Sequence, residues 1–299
     1  MKISTKLKMK ILKATLLSLI ITFFLIINFA NALDYNIPKT DQEWDEKVSK
    51  LNWKTGPGYI SHKKAKASIY FSKEYWVLEG EDAKQILYWN NGLEIPTDIY
   101  AENVEKGYYY DFEFSDSGLI KIDDWEKINA NDFIKEKRET AKINNPSRQA
   151  KGLTTITNIK WNEKPTLDRQ NNQVYYSLLV TWSDGQQSID SKILTLGRRG
   201  YTTITLVSSP ESYSPALLKS MSKNYQYGKN EKYTDWKSGD KVAALGIGAL
   251  LASSLGLKAV KPGLLAVILG LLKKFWFIIF LPFIALGNVF KKMFSKGKK

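Results

Sequence analysis

The chain has 299 residues, no cysteine, one histidine (His62) and a formal charge of +14. Without thiols and with a lone imidazole it has no disulfides, thiol catalysis or multi-His zinc site, and no Ser-His-Asp triad unless His62 serves in it. Five lysines precede the first acidic residue and nine lie between Lys258 and Lys299, while the remaining 30 basic side chains balance all 30 acidic ones. A neutral body with basic ends lacks the electrostatic footprint of a phosphate binder, so nucleic acid is not expected as a partner.

Residues 1–32 read as a secretory signal, with a basic start, an apolar run from Leu16 to Ile27 and a small-x-small site at Ala30-Asn31-Ala32. An exported domain is expected over residues 33–239. Lys66–Phe71 alternates as a strand, and Glu81-Asp82 open a helix that ends at Asn90-Asn91-Gly92. His62, before two lysines, reads as a solvated loop residue. Tyr108–Phe114 is a second strand. A helix capped by Asn131 or Asp132 is expected to stop at Asn145-Pro146.

Four strands follow, at Thr154–Trp161, Gln173–Trp182, Gln187–Leu196 and Tyr201–Ser208, joined by turn residues such as Asp184-Gly185 and Arg199-Gly200. Short links make these an antiparallel meander, and a helix is expected from Pro210. The fold class is α+β, an antiparallel sheet with helices packed on one face.

Residues 240–299 are expected to form a membrane anchor region. Its apolar blocks are Ala243–Leu257, Leu264–Leu272 and Phe275–Phe290, and it ends in KKMFSKGKK. A lysine-rich tail belongs in the cytoplasm, which requires an odd number of crossings. The expected crossing is the first block, extended from Val242 to Val260; the alternative is one tilted crossing from Leu264 to Phe290, which buries Lys273 and Lys274. At helical spacing Ala244, Gly248, Ala252 and Gly256 would form a small-residue face for self-association or a protein partner. Ordinary alanine-rich composition is the plainer reading of the same residues.

Two charged clusters carry the chemistry. Asp116, Asp123, Asp124, Glu126 and Asp132 are able to supply acid–base groups or oxygen ligands, though their spacing is not that of an EF-hand and a capped turn explains them equally. Arg198-Arg199 within LGRRG would clamp an anion or pair with nearby acids across a hairpin turn. No nucleophile elbow, P-loop or dinucleotide fingerprint is present, and no cofactor is indicated.

The segments WKTGP (Trp53–Pro57), SGLIKIDDWEKINANDFI (Ser117–Ile134), WNEKPTLD (Trp161–Asp168), LGRRGYTTITLV (Leu196–Val207) and YTDWKSGDKVAALG (Tyr233–Gly246) resemble the DUF2167 family of uncharacterised bacterial membrane-anchored proteins. The resemblance implies an exported domain with a C-terminal anchor and implies no reaction. The sheet followed by a helix is also similar to Mog1/PsbP-type folds. Family members carry aspartates where this chain has Asn129 and Asn131, which weakens the metal reading. The expected protein is anchored in the bacterial inner membrane, with its domain in the periplasm and its tail in the cytoplasm. Its partners would be membrane lipids and envelope proteins. The alternative is an envelope hydrolase or glycan-binding module built around Asp123-Asp124.

Overall fold

The computed structural model describes residues 33–257. The expected signal segment and the apolar blocks at 264–272 and 275–290 lie outside the described residues. The strands are β1 (Lys54–Thr55), β2 (Gly58–His62), β3 (Ala67–Phe71), β4 (Trp76–Glu79), β5 (Ile99–Asn103), β6 (Tyr108–Ser115), β7 (Ile156–Asp168), β8 (Gln173–Trp182), β9 (Gln187–Leu196), β10 (Tyr201–Ser208) and β11 (Tyr225–Tyr227). The helices are α1 (Asp41–Val48), α2 (Glu81–Asn91), α3 (Ala130–Ala150), α4 (Pro215–Asn224) and α5 (Ile247–Ser254).

Eight strands form one antiparallel sheet in the order β1-β4-β5-β6-β10-β9-β8-β7. The expected meander is its second half. That half joins the first through β6 and β10, which pair from Tyr108↔Ser208 to Ser115↔Tyr201. A second, three-stranded sheet runs β11-β3-β2.

Alternation divides the residues of the large sheet between two cores. On one face Tyr110, Phe112, Ile193, Ile204 and Leu206 pack against the small sheet and against Leu218 and Met221 of α4. On the other face Tyr176, Leu178 and Val180 meet Phe133 and Ile134 of α3, while Leu78 and Tyr100 meet α2. Each such fully buried side chain contributes about 1.5–3 kcal/mol. Helices therefore cover both faces, not one as the sequence suggested, because both faces of the strands are apolar.

Three helix boundaries also depart from expectation. The long helix α3 runs through Pro146, and the N-cap is Asn129. Asn145 bonds both backbone groups of Ile156, and Arg148 Nε donates to Thr154 O, so contacts to the start of β7 hold the turn that proline weakens. Helix α4 begins at Pro215 instead of Pro210, because Ser214 caps it by accepting from Leu217 N–H.

The third departure is the expected membrane span. Residues 243–257 contain only the eight-residue α5, about 12 Å long at about 1.5 Å per residue. Ile247, Leu250, Leu251, Ala252 and Leu255 are buried against α3 and the sheet. An apolar run of this length satisfies a protein core as well as a bilayer, and here the core takes it. Among the described residues no helix is long and apolar enough to cross a membrane.

Candidate functional site: a clasp beside a cleft

The fold uses both arginines and, of the acidic cluster, Asp116 and Asp124; Glu126 pairs with Arg169 at 3.0 Å on the surface, and Asp132 is exposed on the first turn of α3. After β6 the chain runs beside the segment that leads into α5. Leu119 N–H donates to Lys241 O, and Ala243 N–H donates to Leu119 O. Asp124 then caps α5, accepting the N–H groups of Ile247 at 3.1 Å and Gly248 at 3.2 Å. A Cβ on Gly246 or Gly248 would stand 2.6 or 2.9 Å from that carboxylate. Gly248 is therefore small to admit Asp124. Ala252 is buried in the core, Ala244 precedes the helix and Gly256 follows it, so these residues do not form one helix-pairing face. Asp123 is exposed.

The arginines of LGRRG lie in the β9–β10 turn. Arg198 forks onto Asp240, with Nε 2.6 Å from Oδ2 and Nη2 2.8 Å from Oδ1. The guanidinium, aided by Lys237 N–H, holds Asp240 down to about 2. Arg199 donates from Nε to Glu231 at 2.6 Å, from Nη1 to Asp116 at 3.3 Å and from Nη2 to the Lys64 carbonyl at 3.0 Å. Its guanidinium lies 5.2 Å from the Phe114 ring centre. Lys66 adds a second bond to Glu231 at 2.9 Å. Burial opposes the Glu231 charge, but Arg199 and Lys66 outweigh it and lower its pKa. A Cβ on Gly200 would meet the Ser115 carbonyl oxygen at 1.8 Å, so the turn closes on β6 only with glycine there. This is an ionic clasp, and it ties the β9–β10 turn to the loops on either side.

His62 is not a solvated loop residue. It closes β2 at 2 % exposure, because its position in the alternating GYISH run faces inward. Its Nε2 lies 3.0 Å from Asp98 and its Nδ1 3.2 Å from the Tyr225 hydroxyl. Contacts continue from Tyr225 to Thr202 at 2.6 Å and from Thr202 to Tyr227 at 3.0 Å, where Tyr227 donates to Thr195 O. Asp98 also pairs with Lys64 and accepts Phe114 N–H. Burial works against its charge, yet His62, Lys64 and the Phe114 amide hold it down to about 2. Asp111, in β6, is pushed up to about 7 by burial, with Lys192 only partly opposing. The register sets Asp111 and Lys192 on either side of Thr205.

Tyr225 and Tyr227 also wall a cleft of about 570 Å³ between β8, β9, α4 and the loop at Lys232–Thr234. Gln173, Tyr175 and Thr195 line it from the sheet. Lys219 and Lys223 reach it from α4, and Lys232 from the loop beside the clasp. None of the three forms a salt bridge among the described residues. The acid of the lining, Asp168, is turned to its own loop and accepts from Gln170 N–H, Asn171 N–H and Asn171 Nδ2. A smaller hollow of about 370 Å³ between α1 and α2 is lined by charges that already pair, Lys47 with Asp34 and Lys50 with Glu46. Sequence reasoning missed the open cleft because its lysines are scattered over α4 and a loop and form no motif.

The DUF2167 family model, described as a protein of unknown function, matches residues 54–284. No curated protein matches the chain. Among solved structures, the solution structure of cyanobacterial PsbP (CyanoP) from Synechocystis sp. PCC 6803 is similar at 14% sequence identity and a TM-score of 0.34, covering 57% of this chain and 92% of that one.

Proposed function

The chain belongs to the DUF2167 family, and from that premise we propose a membrane-anchored protein of the bacterial envelope whose α+β domain works by binding and not by catalysis. One observation carries the binding reading, the division of charge between clasp and cleft. Asp124, Arg198 and Arg199 are spent on a helix cap and on internal ion pairs. The lysines of an open cleft are not. The hydrolase alternative drew on Asp123-Asp124, and it loses support because Asp124 is occupied by α5.

The anchoring part rests on sequence. With residues 243–257 folded into the core, the anchor moves to Leu264–Phe290, and the family match extends to residue 284 within it. One tilted crossing there leaves KKMFSKGKK in the cytoplasm and the domain in the periplasm, in line with the signal-like start. Lipids of the inner membrane and an envelope protein are the partners this reading names.

Protease added to spheroplasts tests the arrangement, using full-length protein with an epitope fused after Lys299. The expected result is loss of the domain with a protected tail fragment. A domain that survives until the membrane is breached would overturn the periplasmic placement.

A further inference from the structure

The cleft between β8, β9 and α4 has the chemistry of a ligand site, and we infer that its ligand is a carboxylate-bearing saccharide, such as a uronic-acid oligosaccharide. This rests on the reading of the domain as a binding module. The volume of about 570 Å³ suits a small ligand or a short segment of a longer one.

Charge selects the sign. Lys219, Lys223 and Lys232 line the cleft, and the one acid of the lining, Asp168, is held as an anion by hydrogen bonds from its own turn, with Lys219 nearby. A ligand carboxylate would therefore meet three ammonium groups against one carboxylate that already has its hydrogen bonds, so the lining keeps an excess of positive charge.

The form of the donors separates carboxylate from phosphate. The lining holds no arginine fork, and α4 presents its C-terminal half, from Lys219 to Lys223. The carbonyl end of a helix repels concentrated negative charge, so a dianionic phosphate is disfavoured where a single carboxylate paired with lysine is tolerated.

The remaining lining selects the body of the ligand. Gln173 and Thr195 donate and accept, as sugar hydroxyls require. Tyr175 and Tyr227 are half-buried and offer the amphipathic surface that a sugar ring covers. The hydroxyl of Tyr227 is fixed between Thr202 and the Thr195 carbonyl, so this part of the wall is set before a ligand arrives. Lys219 Nζ lies 4.9 Å from the Tyr175 ring centre, and swinging it toward a carboxylate would uncover that ring.

The test is calorimetric titration of full-length protein with a short oligogalacturonate, with its carboxyl-reduced neutral counterpart, and with inorganic phosphate. The acidic saccharide should bind at least about tenfold more tightly than either comparison ligand. Added salt should weaken it. The combined Lys219→Gln, Lys223→Gln and Lys232→Gln variant should lose about tenfold in affinity while keeping its melting temperature. Equal binding of acidic and neutral saccharides, phosphate binding as tight as the saccharide, or an unaffected triple variant would each overturn the assignment. Protease protection of the domain with saccharide binding intact would break the envelope reading alone. Protease sensitivity without saccharide binding would break the assignment alone.

Discussion

At the clasp, Arg198 and Arg199 each reach an acid at 2.6 Å, and Lys66 joins Arg199 on Glu231. In the cleft, on the far side of the same loop, Lys219, Lys223 and Lys232 line open space. Both regions are basic in sequence, yet only the first looks like a motif. The difference teaches that a compact charged motif such as LGRRG marks where the chain must be fastened. Bidentate pairs and glycine-dependent approaches need specific neighbours, and a cleft rim does not.

The strongest way to break the comparison is Gly200→Val. Its side chain would enter the Ser115 carbonyl, already 1.8 Å from an ideal Cβ. The two strand ends would have to part, and the expected result is loss of the folded domain, read by circular dichroism and proteolysis. Next comes Arg199→Gln, which leaves Glu231, at 9 % exposure, with Lys66 as its remaining cation. Removing one partner of a buried pair costs about 3–5 kcal/mol. Arg199 is itself partly exposed and Lys66 still pairs with Glu231, so about 2 kcal/mol is expected in urea unfolding. A loss below about 0.5 kcal/mol would place the clasp among ordinary surface pairs.

Acid sharpens the contrast further, since two aspartates are shifted in opposite directions. Asp98 is held down to about 2, so its contribution is present above the ordinary carboxylate range and lost as pH falls through about 2. That contribution is about 2 kcal/mol, and Asp98→Asn should remove the corresponding slope between pH 4 and pH 2. Asp111 is pushed up to about 7, so its contribution is present below the ordinary carboxylate range and lost as pH rises through about 7. Asp111→Asn should therefore raise the melting temperature at pH 8 and change little at pH 4. A variant equally stabilised at both pH values would show that burial is not the cause.

What the sequence made legible was local. The ends of β8, β9 and β10 are as expected because alternation and turn residues such as Asp184-Gly185 act within a few positions. The junction of β6 with β10 was not legible, since nothing near Tyr108–Ser115 names a partner strand so far along the chain. His62 was misread because two adjacent lysines suggested solvent, whereas its partners, Asp98 and Tyr225, come from distant segments. The run from Ala243 to Leu257 was misread because hydrophobicity does not say which apolar medium receives it. Asp124 held the missing information, since a carboxylate on the first turn of α5 fixes that helix to the domain.

That contact yields a smaller expected effect and the most direct check on α5. Asp124→Ala removes an acceptor from two backbone N–H groups and should cost roughly 1–2 kcal/mol, as lost helix caps do. Lys219→Gln, at the cleft, should change stability by less than about 0.5 kcal/mol, because it breaks no ion pair. Hydrogen exchange localises the first effect. In Asp124→Ala the amides of Ile247–Ser254 should exchange faster, while those of β8 and β9 keep their protection. If α5 exchanged unchanged, the cap would not be what fastens that helix, and the division between fastening charges and free ones would have to be redrawn there.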